Sequence, residues 1–224
     1  MREAETLLSA VNMMADAECF LFDMDGLIFD TERLFMEQLT EVMAEYGYEL
    51  TRDIYVKTLG LGGERLKELM CSFYGEDYPF EKMGHMTQQR IKHIAKTEGL
   101  LVKPEIREVL EWLCDNGKKM AVASTSKSTT VETYLSTAGL LNYFKYIAGG
   151  DMVRRSKPEP DIFLLAAHKM GCEPAQCVVL EDSENGIRAA SSAGMRSICV
   201  PDLKEPSREV REMITVLVHR TTGN

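Results

Sequence analysis

Short apolar runs alternate with amphipathic segments of helical period through the second half of the chain. The apolar runs predict buried strands at residues 118–124, 144–148, 177–180 and 196–200. The segments between them predict helices at residues 105–116, 128–138, 161–170 and 185–193. Each helix is followed by a glycine that suits a left-handed C-cap: Gly117, Gly139, Gly171 and Gly194. This alternation predicts an α/β fold whose parallel sheet is covered on both faces.

Residues 34–99 follow a different pattern. Long helical periodicities begin at Leu34 and again at Leu66, and no segment between them reads as a convincing strand. We therefore predict one α/β core, formed by residues 1–33 and 100–224, that is interrupted by a helical cap at residues 34–99.

Polar side chains follow the predicted strands at their carboxyl ends. The first strand runs through FLF into Asp23 and Asp25, which point the same way because residues i and i+2 of an extended segment share a face. Ligands bind outside the carboxyl ends of strands in open parallel sheets. We expect one crevice to collect a carboxylate pair, a hydroxyl cluster, a lysine before a proline and a second acidic pair: Asp23, Asp25, Ser124, Thr125, Ser126, Lys157, Glu181 and Asp182.

Composition excludes several classes of function. Hydrophobic residues make up 45% of the chain and charged residues 27%, as in ordinary globular proteins. The net charge of -9, without a basic patch, argues against a nucleic-acid partner. The first residues lack the apolar segment of a signal peptide, and the run at residues 214–218 is too short to span a bilayer. We expect a cytoplasmic protein with no membrane partner.

The cysteines and histidines show no metal-binding spacing. The six cysteines form no CxxC pair, and the four histidines form no HxxxH pair. We expect free thiols packed as small hydrophobic side chains in a reducing compartment, and no zinc site.

Four motifs in order carry a resemblance to a known family. DMDGLIFDTE, VASTSK, SKPEPDIF and VVLEDSENGIRAASSAGM, with a helical insertion after the first, resemble the haloacid dehalogenase superfamily. The resemblance spans roughly residues 18 to 202 and is to the branch of β-phosphoglucomutase and the sugar-phosphate phosphatases. It implies a Rossmann-like, doubly wound core, an α-helical cap, Mg²⁺ and an aspartyl-phosphate intermediate.

The resemblance assigns the two aspartates of the first motif to the chemistry. Asp23 would be the nucleophile, which needs no activating base if its pKa is near the usual value of about 4. Asp25 would be the general acid that protonates the leaving oxygen and then the base that activates water.

The same resemblance implies the metal and phosphate sites. Mg²⁺ would be held by Asp23, the main-chain carbonyl of Asp25 and Asp182, with Glu181 acting directly or through water. The transferring phosphoryl group would be bound by Ser124, Lys157 and the main-chain N–H of Thr125.

The cap sequence bears on the choice between a phosphatase and a mutase. The glycine-rich turn at residues 60–63 follows no strand, so we expect it to face the substrate, with Gly62, Gly63 and Arg65 as contacts. A β-phosphoglucomutase needs a cap-loop arginine and a histidine, and those positions fall here on Gly63 and Phe35. Arg65 lies two residues away and leaves the mutase open.

We therefore predict a Mg²⁺-dependent phosphatase that acts on a small phosphorylated metabolite, expected to be a sugar phosphate, as a monomer. The alternatives are a phosphosugar mutase and a non-enzymatic receiver domain. A receiver is about half this length, lacks the insertion and gives Asp25 no role. The family usually continues through another strand or helix after residues 201–203, and we expect that element to be shortened or altered here.

Overall fold

The computed structural model describes residues 1–219 and divides the chain into two compact units. The first comprises Met1–Phe29 and the chain from Leu101 onward, and the second comprises Asp30–Leu100. The predicted boundary after residue 33 falls inside a helix that starts at Thr31, because the apolar pattern used to place it begins about one turn later. The roles of the units as catalytic core and cap remain predictions.

The described part of the first unit contains one sheet of seven parallel strands. Their order is β1-β7-β6-β5-β2-β3-β4. The strands are β1 (Arg2–Ala4), β2 (Cys19–Phe22), β3 (Lys119–Ser124), β4 (Tyr146–Gly149), β5 (Cys177–Glu181), β6 (Arg196–Cys199) and β7 (Val216–Val218). The α/β, Rossmann-like class predicted from the sequence is confirmed.

Helices connect the strands of this unit. They are α1 (Leu7–Asn12), α6 (Pro104–Asp115), α7 (Ser128–Thr137), α8 (Asp161–Met170), α9 (Glu184–Ser192) and α10 (Arg208–Arg211). The four glycines predicted to end helices have φ values of +65°, +68°, +63° and +71°, a left-handed backbone that other residues adopt at a cost.

The core lies on both faces of the sheet. All four residues of β2 are buried, so this central strand has no solvent-facing side. Helices α8 and α9 cover one face, where Leu21, Ala123 and Val179 pack against Phe163 and Ala190. Helices α1 and α6 contact each other and pack against β7 and β3.

The outer strands β1 and β7 were missing from the sequence interpretation. β1 has three residues and two exposed charged side chains, and β7 is the triplet Val216–Val218, so neither is long enough to show a period. They pair in parallel at the edge of the sheet, with Arg2 opposite Val216. After residue 203, where we expected a shortened or altered element, the described chain forms α10, of four residues, and β7, of three. Residues 220–224 lie outside the described chain.

The second unit is helical throughout its described residues. It contains α2 (Thr31–Glu45), α3 (Arg52–Thr58), α4 (Gly63–Tyr74) and α5 (Phe80–Thr97). Helices α2 and α5 pack along each other, and Tyr48 makes edge-on contacts with Tyr74 and Tyr78. In neither unit do the helices within residues 1–219 combine the length and apolar character that crossing a membrane requires.

The two points at which the second unit interrupts the sequence of the first unit lie side by side. Phe29 and Val102 form an antiparallel bridge, and the N–H of Lys103 donates to the carbonyl of Ile28 at 2.9 Å. The chain therefore leaves this unit and re-enters it at neighbouring points.

Candidate active site

Three strands deliver side chains to the same edge of the sheet. β2 runs directly into Asp23, whose N–H continues the ladder by donating to the carbonyl of Leu180 at 3.0 Å. Ser124 is the last residue of β3, and Glu181 is the last residue of β5. Because β2 lies between β3 and β5, these side chains meet at the carboxyl edge, where open parallel sheets bind ligands.

Lys157 joins two of these carboxylates. Its ammonium nitrogen lies 2.5 Å from Asp23 Oδ1 and 2.6 Å from Glu181 Oε1, and it donates to the carbonyl oxygen of Ala123 at 3.0 Å. The lysine side chain is 4% exposed, and the ring of Phe163 lies 4.7 Å from its ammonium. All three N–H donors of the ammonium are thus used within the protein.

Glu181 is fixed by a second set of hydrogen bonds. Its Oε2 accepts the N–H groups of Asp182 at 3.0 Å and Ser183 at 2.9 Å, and the hydroxyl of Ser183 at 2.9 Å. These donors belong to the N-terminus of α9, where a negative charge is favoured. A Cβ at Gly186 would lie 1.8 Å from the Glu181 carboxyl group, so only glycine leaves room for it.

Negative charge exceeds positive charge in this pocket. Burial, only partly offset by the Lys157 ammonium, raises the pKa of Asp23 to about 8, and the carboxylates of Glu181 and Asp25 contribute to the rise. Burial alone would lower the pKa of Lys157, but Asp23 and Glu181 raise it, so this lysine stays charged. The ordinary pKa assumed for Asp23 from the sequence omitted its burial.

The acidic cluster fits a hard divalent cation. Carboxylate oxygens of Asp23, Glu181 and Asp182 lie within 4.8 Å of one another. A Cβ at Gly26 would lie 2.1 Å from Asp182 Oδ2, so the glycine is needed for the Asp182 carboxylate to sit there. Oxygen donors and an excess of negative charge are what Mg²⁺ requires of a protein site.

Asp25 is held by hydroxyl groups. Its Oδ2 accepts hydrogen bonds from Ser126 Oγ at 2.9 Å and from Ser124 Oγ at 3.3 Å. The N–H of Ser126 donates to Ser124 Oγ at 3.0 Å, which fixes the two serines relative to each other. Ser126 was grouped with the hydroxyl cluster in the sequence but given no role, and only the fold brings it to Asp25.

The sequence-predicted site residues fall into two groups. The first unit brings together the carboxylates, Ser124 and Lys157, and the exposed Thr125 follows Ser124 directly. Gly62, Gly63 and Arg65 belong to the second unit: Gly62 precedes α4, Gly63 is its first residue with φ +56°, and Arg65 is exposed. Their contact with substrate remains a prediction.

A family model described as haloacid dehalogenase-like hydrolase matches residues 20–200. The chain belongs to this family. The match includes every residue of the carboxyl-edge site, and the resemblance drawn from the four sequence motifs is confirmed.

Several relatives of this hydrolase family member are named as phosphatases. "Phosphorylated carbohydrates phosphatase" of Thermotoga maritima is 34% identical over 184 residues, which cover 81% of this chain and 83% of that protein. "Fructose-1-phosphate phosphatase YqaB" of Escherichia coli is 32% identical over 181 residues, covering 80% and 94%. The structure of CbbY from Rhodobacter sphaeroides in complex with phosphate superposes with a TM-score of 0.71 at 29% identity, covering 90% and 93%. The predicted enzyme class, a phosphoric monoester hydrolase of this family, is confirmed.

Proposed function

We propose that the protein is a Mg²⁺-dependent phosphatase that hydrolyses a sugar phosphate through an aspartyl-phosphate at Asp23. The observation that carries this proposal is the buried Asp23 carboxylate, bound to Lys157 and grouped with Glu181 and Asp182 at the end of β2. Phosphoryl transfer depends on an in-line nucleophile and on neutralised phosphoryl oxygens, and this cluster contains groups for both tasks.

Asp23 acts as the nucleophile through the oxygen not held by Lys157. Lys157 Nζ binds Oδ1 and so restricts rotation of the carboxyl group. The raised pKa of Asp23 would leave much of its carboxyl group protonated near neutral pH unless further positive charge is supplied. Mg²⁺ would supply that charge and neutralise the phosphoryl oxygens. Its ligands would be Asp23, Asp182 and the main-chain carbonyl of Asp25. Glu181 would bind it directly or through a water molecule.

Asp25 acts as the general acid and then as the general base. In the first half-reaction its carboxylic acid protonates the leaving oxygen, and in the second its carboxylate takes a proton from the water that attacks the aspartyl-phosphate. The hydroxyls of Ser126 and Ser124 donate to Oδ2 of this carboxyl group and so orient it.

Ser124, Lys157 and the main-chain N–H of Thr125 bind the transferring phosphoryl group, and the one hydroxyl proton of Ser124 then moves from Asp25 Oδ2, 3.3 Å away, to the phosphoryl oxygen. Because the three donors of Lys157 are used within the protein, a phosphoryl oxygen must replace one of its present acceptors. The bond to the Ala123 carbonyl, at 3.0 Å, is the longest of the three and the one that we propose is exchanged.

The relatives named above support a sugar phosphate as the substrate class. We assign the selection of the sugar to the second unit, through Gly62, Gly63 and Arg65. We further propose that the enzyme works as a monomer in the cytoplasm, where its six cysteines would stay free thiols, the form in which the structure contains them.

A panel of sugar phosphates tests the proposal by release of inorganic phosphate with and without Mg²⁺. We expect turnover that requires Mg²⁺ and is lost in Asp23→Asn. Equal phosphate release with excess chelator would refute the metal requirement, and no release from any sugar phosphate would refute the substrate class.

Product analysis with β-glucose 1-phosphate separates the phosphatase from the mutase. A mutase protects the aspartyl-phosphate from water and holds a second phosphate, whereas Phe35 and Gly63 occupy the positions where a mutase needs its histidine and arginine. We expect free phosphate as the main product without a bisphosphate activator. Glucose 6-phosphate appearing faster than free phosphate would overturn the proposal.

A further inference from the structure

Residues 149–151, at the end of β4 and just after it, pack against the loop that joins β3 to α7. We call residues 125–127 the β3–α7 loop. This loop supplies the Ser126 hydroxyl that donates to Asp25, and the main-chain N–H of Thr125 that is proposed to bind the phosphoryl group. The chemistry proposed above gives residues 149–151 no role, although they contact a loop on which that chemistry depends.

The two segments are in contact through their backbones. The N–H of Gly150 donates to the carbonyl oxygen of Ser126 at 2.9 Å. A Cβ on Gly149 would lie 2.3 Å from the main-chain nitrogen of Ser128, and a Cβ on Gly150 would lie 2.2 Å from the carbonyl oxygen of Thr125. Main-chain atoms cannot rotate out of the way as the end of a side chain can. Both positions therefore need glycine if the two segments are to lie this close.

Asp151 adds a charged contact at the start of α7. Its Oδ1 accepts the main-chain N–H of Ser128 at 2.7 Å, and its Oδ2 accepts the hydroxyl of Ser128 at 2.9 Å. Ser128 is the first residue of α7, and the preceding Lys127 provides no side-chain cap. The two hydrogen bonds from Ser128 hold the pKa of Asp151 below its usual value, so this group is a carboxylate at neutral pH. Asp151 therefore caps α7 with the charge that a helix N-terminus favours.

The β3–α7 loop is thus fixed at both ends and in its middle. At its start, the N–H of Ser126 donates to the hydroxyl of Ser124, the last residue of β3, at 3.0 Å. In its middle, the carbonyl of Ser126 is held by the segment after β4. At its end, Ser128 is held by Asp151. Because the backbone of Ser126 is fixed in this way, its Oγ lies 2.9 Å from Asp25 Oδ2.

We propose that Asp151 is a positioning residue for Asp25, acting through Ser128 and the β3–α7 loop. This inference rests on the acid-base role proposed for Asp25. By holding Ser128, Asp151 keeps the loop where the Ser126 hydroxyl orients the Asp25 carboxyl group. A misplacement of a reacting group by about 1 Å can cost about 100-fold in rate. Because the other two contacts of the loop remain without Asp151, we expect a smaller loss, of about tenfold.

Amide hydrogen exchange of the full chain, measured by NMR, tests the positioning without any substrate. In Asp151→Ala the amides of Ser128 and Ser126 should exchange about tenfold faster than in the parent. Asp151→Asn should restore the parent rates, because its amide oxygen can accept the Ser128 N–H and its NH₂ group can donate to the Ser128 hydroxyl. The control is Asp16→Ala, which removes another exposed, paired aspartate, bound to Arg196 before β2, and should change neither amide. Unchanged exchange of the Ser126 amide in Asp151→Ala would overturn the inference.

Rapid-quench kinetics with p-nitrophenyl phosphate test the effect on Asp25. Formation of the aspartyl-phosphate from this ester needs little protonation, so Asp151→Ala should match the parent within about twofold in that step. Hydrolysis of the aspartyl-phosphate needs Asp25 as a base and should slow by about tenfold. Asp151→Asn should restore the rate of hydrolysis, and Gly150→Ala, which displaces the loop by a different route, should lower it. Unchanged hydrolysis in Asp151→Ala, or an equal loss in both steps, would refute the positioning role.

Failure of this inference is distinguishable from failure of the proposed function. A parent enzyme that releases no phosphate refutes the function, and this result is seen without any variant. A parent that turns over, beside an Asp151→Ala variant with the same rate of hydrolysis, refutes the inference and leaves the function intact. Thermal unfolding of each variant identifies misfolding, and a rescue by Asp151→Asn in both experiments is the result expected if the contacts with Ser128 carry the effect.

Discussion

Replacing Lys157 with methionine removes one positive charge from a site that buries two carboxylates. The parent holds Asp23 and Glu181 at 2.5 Å and 2.6 Å from the ammonium, with side chains 9% and 1% exposed. Breaking a buried ion pair by removing one partner costs about 3–5 kcal/mol, since the remaining charge has no solvent to compensate it. For a chain of this size we expect the Tm to fall by about 6–20 °C.

The control for Lys157→Met is Lys67→Met. Lys67 and Glu81 also form a short ion pair, at 2.9 Å, but their side chains are 38% and 73% exposed. Solvent screens exposed pairs, which therefore add little to stability, so this variant should unfold close to the parent. Thermal unfolding followed by circular dichroism, without added metal, measures both. If Lys157→Met and Lys67→Met both unfold at a Tm close to that of the parent, the buried carboxylates do not need Lys157 for the stability of the fold.

Further variants test the proposed chemistry directly. Asp23→Asn should keep the fold and lower turnover by about 10³-fold or more, because it removes the nucleophile, and activity within about tenfold of the parent would reject that role. In Asp25→Asn, Asp23 should still be phosphorylated by p-nitrophenyl phosphate, because this leaving group needs little protonation, while hydrolysis of the aspartyl-phosphate slows. Rapid-quench measurements that show an equal loss of rate in both steps would argue against an acid-base role for Asp25. Because the pKa of Asp23 is raised to about 8, Mg²⁺ must displace a proton from this carboxyl group at lower pH. The half-saturating Mg²⁺ concentration should therefore rise by about tenfold per pH unit as the pH falls from 8 to 6. A half-saturating concentration that stays constant over this range would contradict the reasoning.

Much of the fold followed from local signals. The strands that end at Ser124 and Glu181 are buried apolar runs, and the helices beside them end at glycines whose φ is positive. Because parallel strands present their carboxyl ends at one edge, the gathering of Asp23, Ser124 and Glu181 could be expected before any distance was known. The strands β1 and β7 could not be predicted in this way, because a segment of three residues is too short to show a periodic pattern.

The contacts inside the site were beyond reach of the sequence. Lys157 reaches Asp23 across 134 residues and Ser126 reaches Asp25 across 101, and no pattern in the chain specifies such pairings. The raised pKa of Asp23 depends on burial, which exists only after the sheet has formed. The close approach of Gly186 to Glu181 likewise appears only in three dimensions.

The bridge between Phe29 and Val102 makes the helical unit an exchangeable module. A turn of about two to four residues could join these positions, since antiparallel neighbours need no longer connection. The shortened chain would retain all seven strands and the carboxyl-edge residues, and should fold alone, as circular dichroism and gel filtration would show. If the second unit selects the sugar, this truncated enzyme should hydrolyse simple phosphate esters with little discrimination. Grafting a different helical insert between the same two residues would then be a route to altered substrate choice without touching the chemistry.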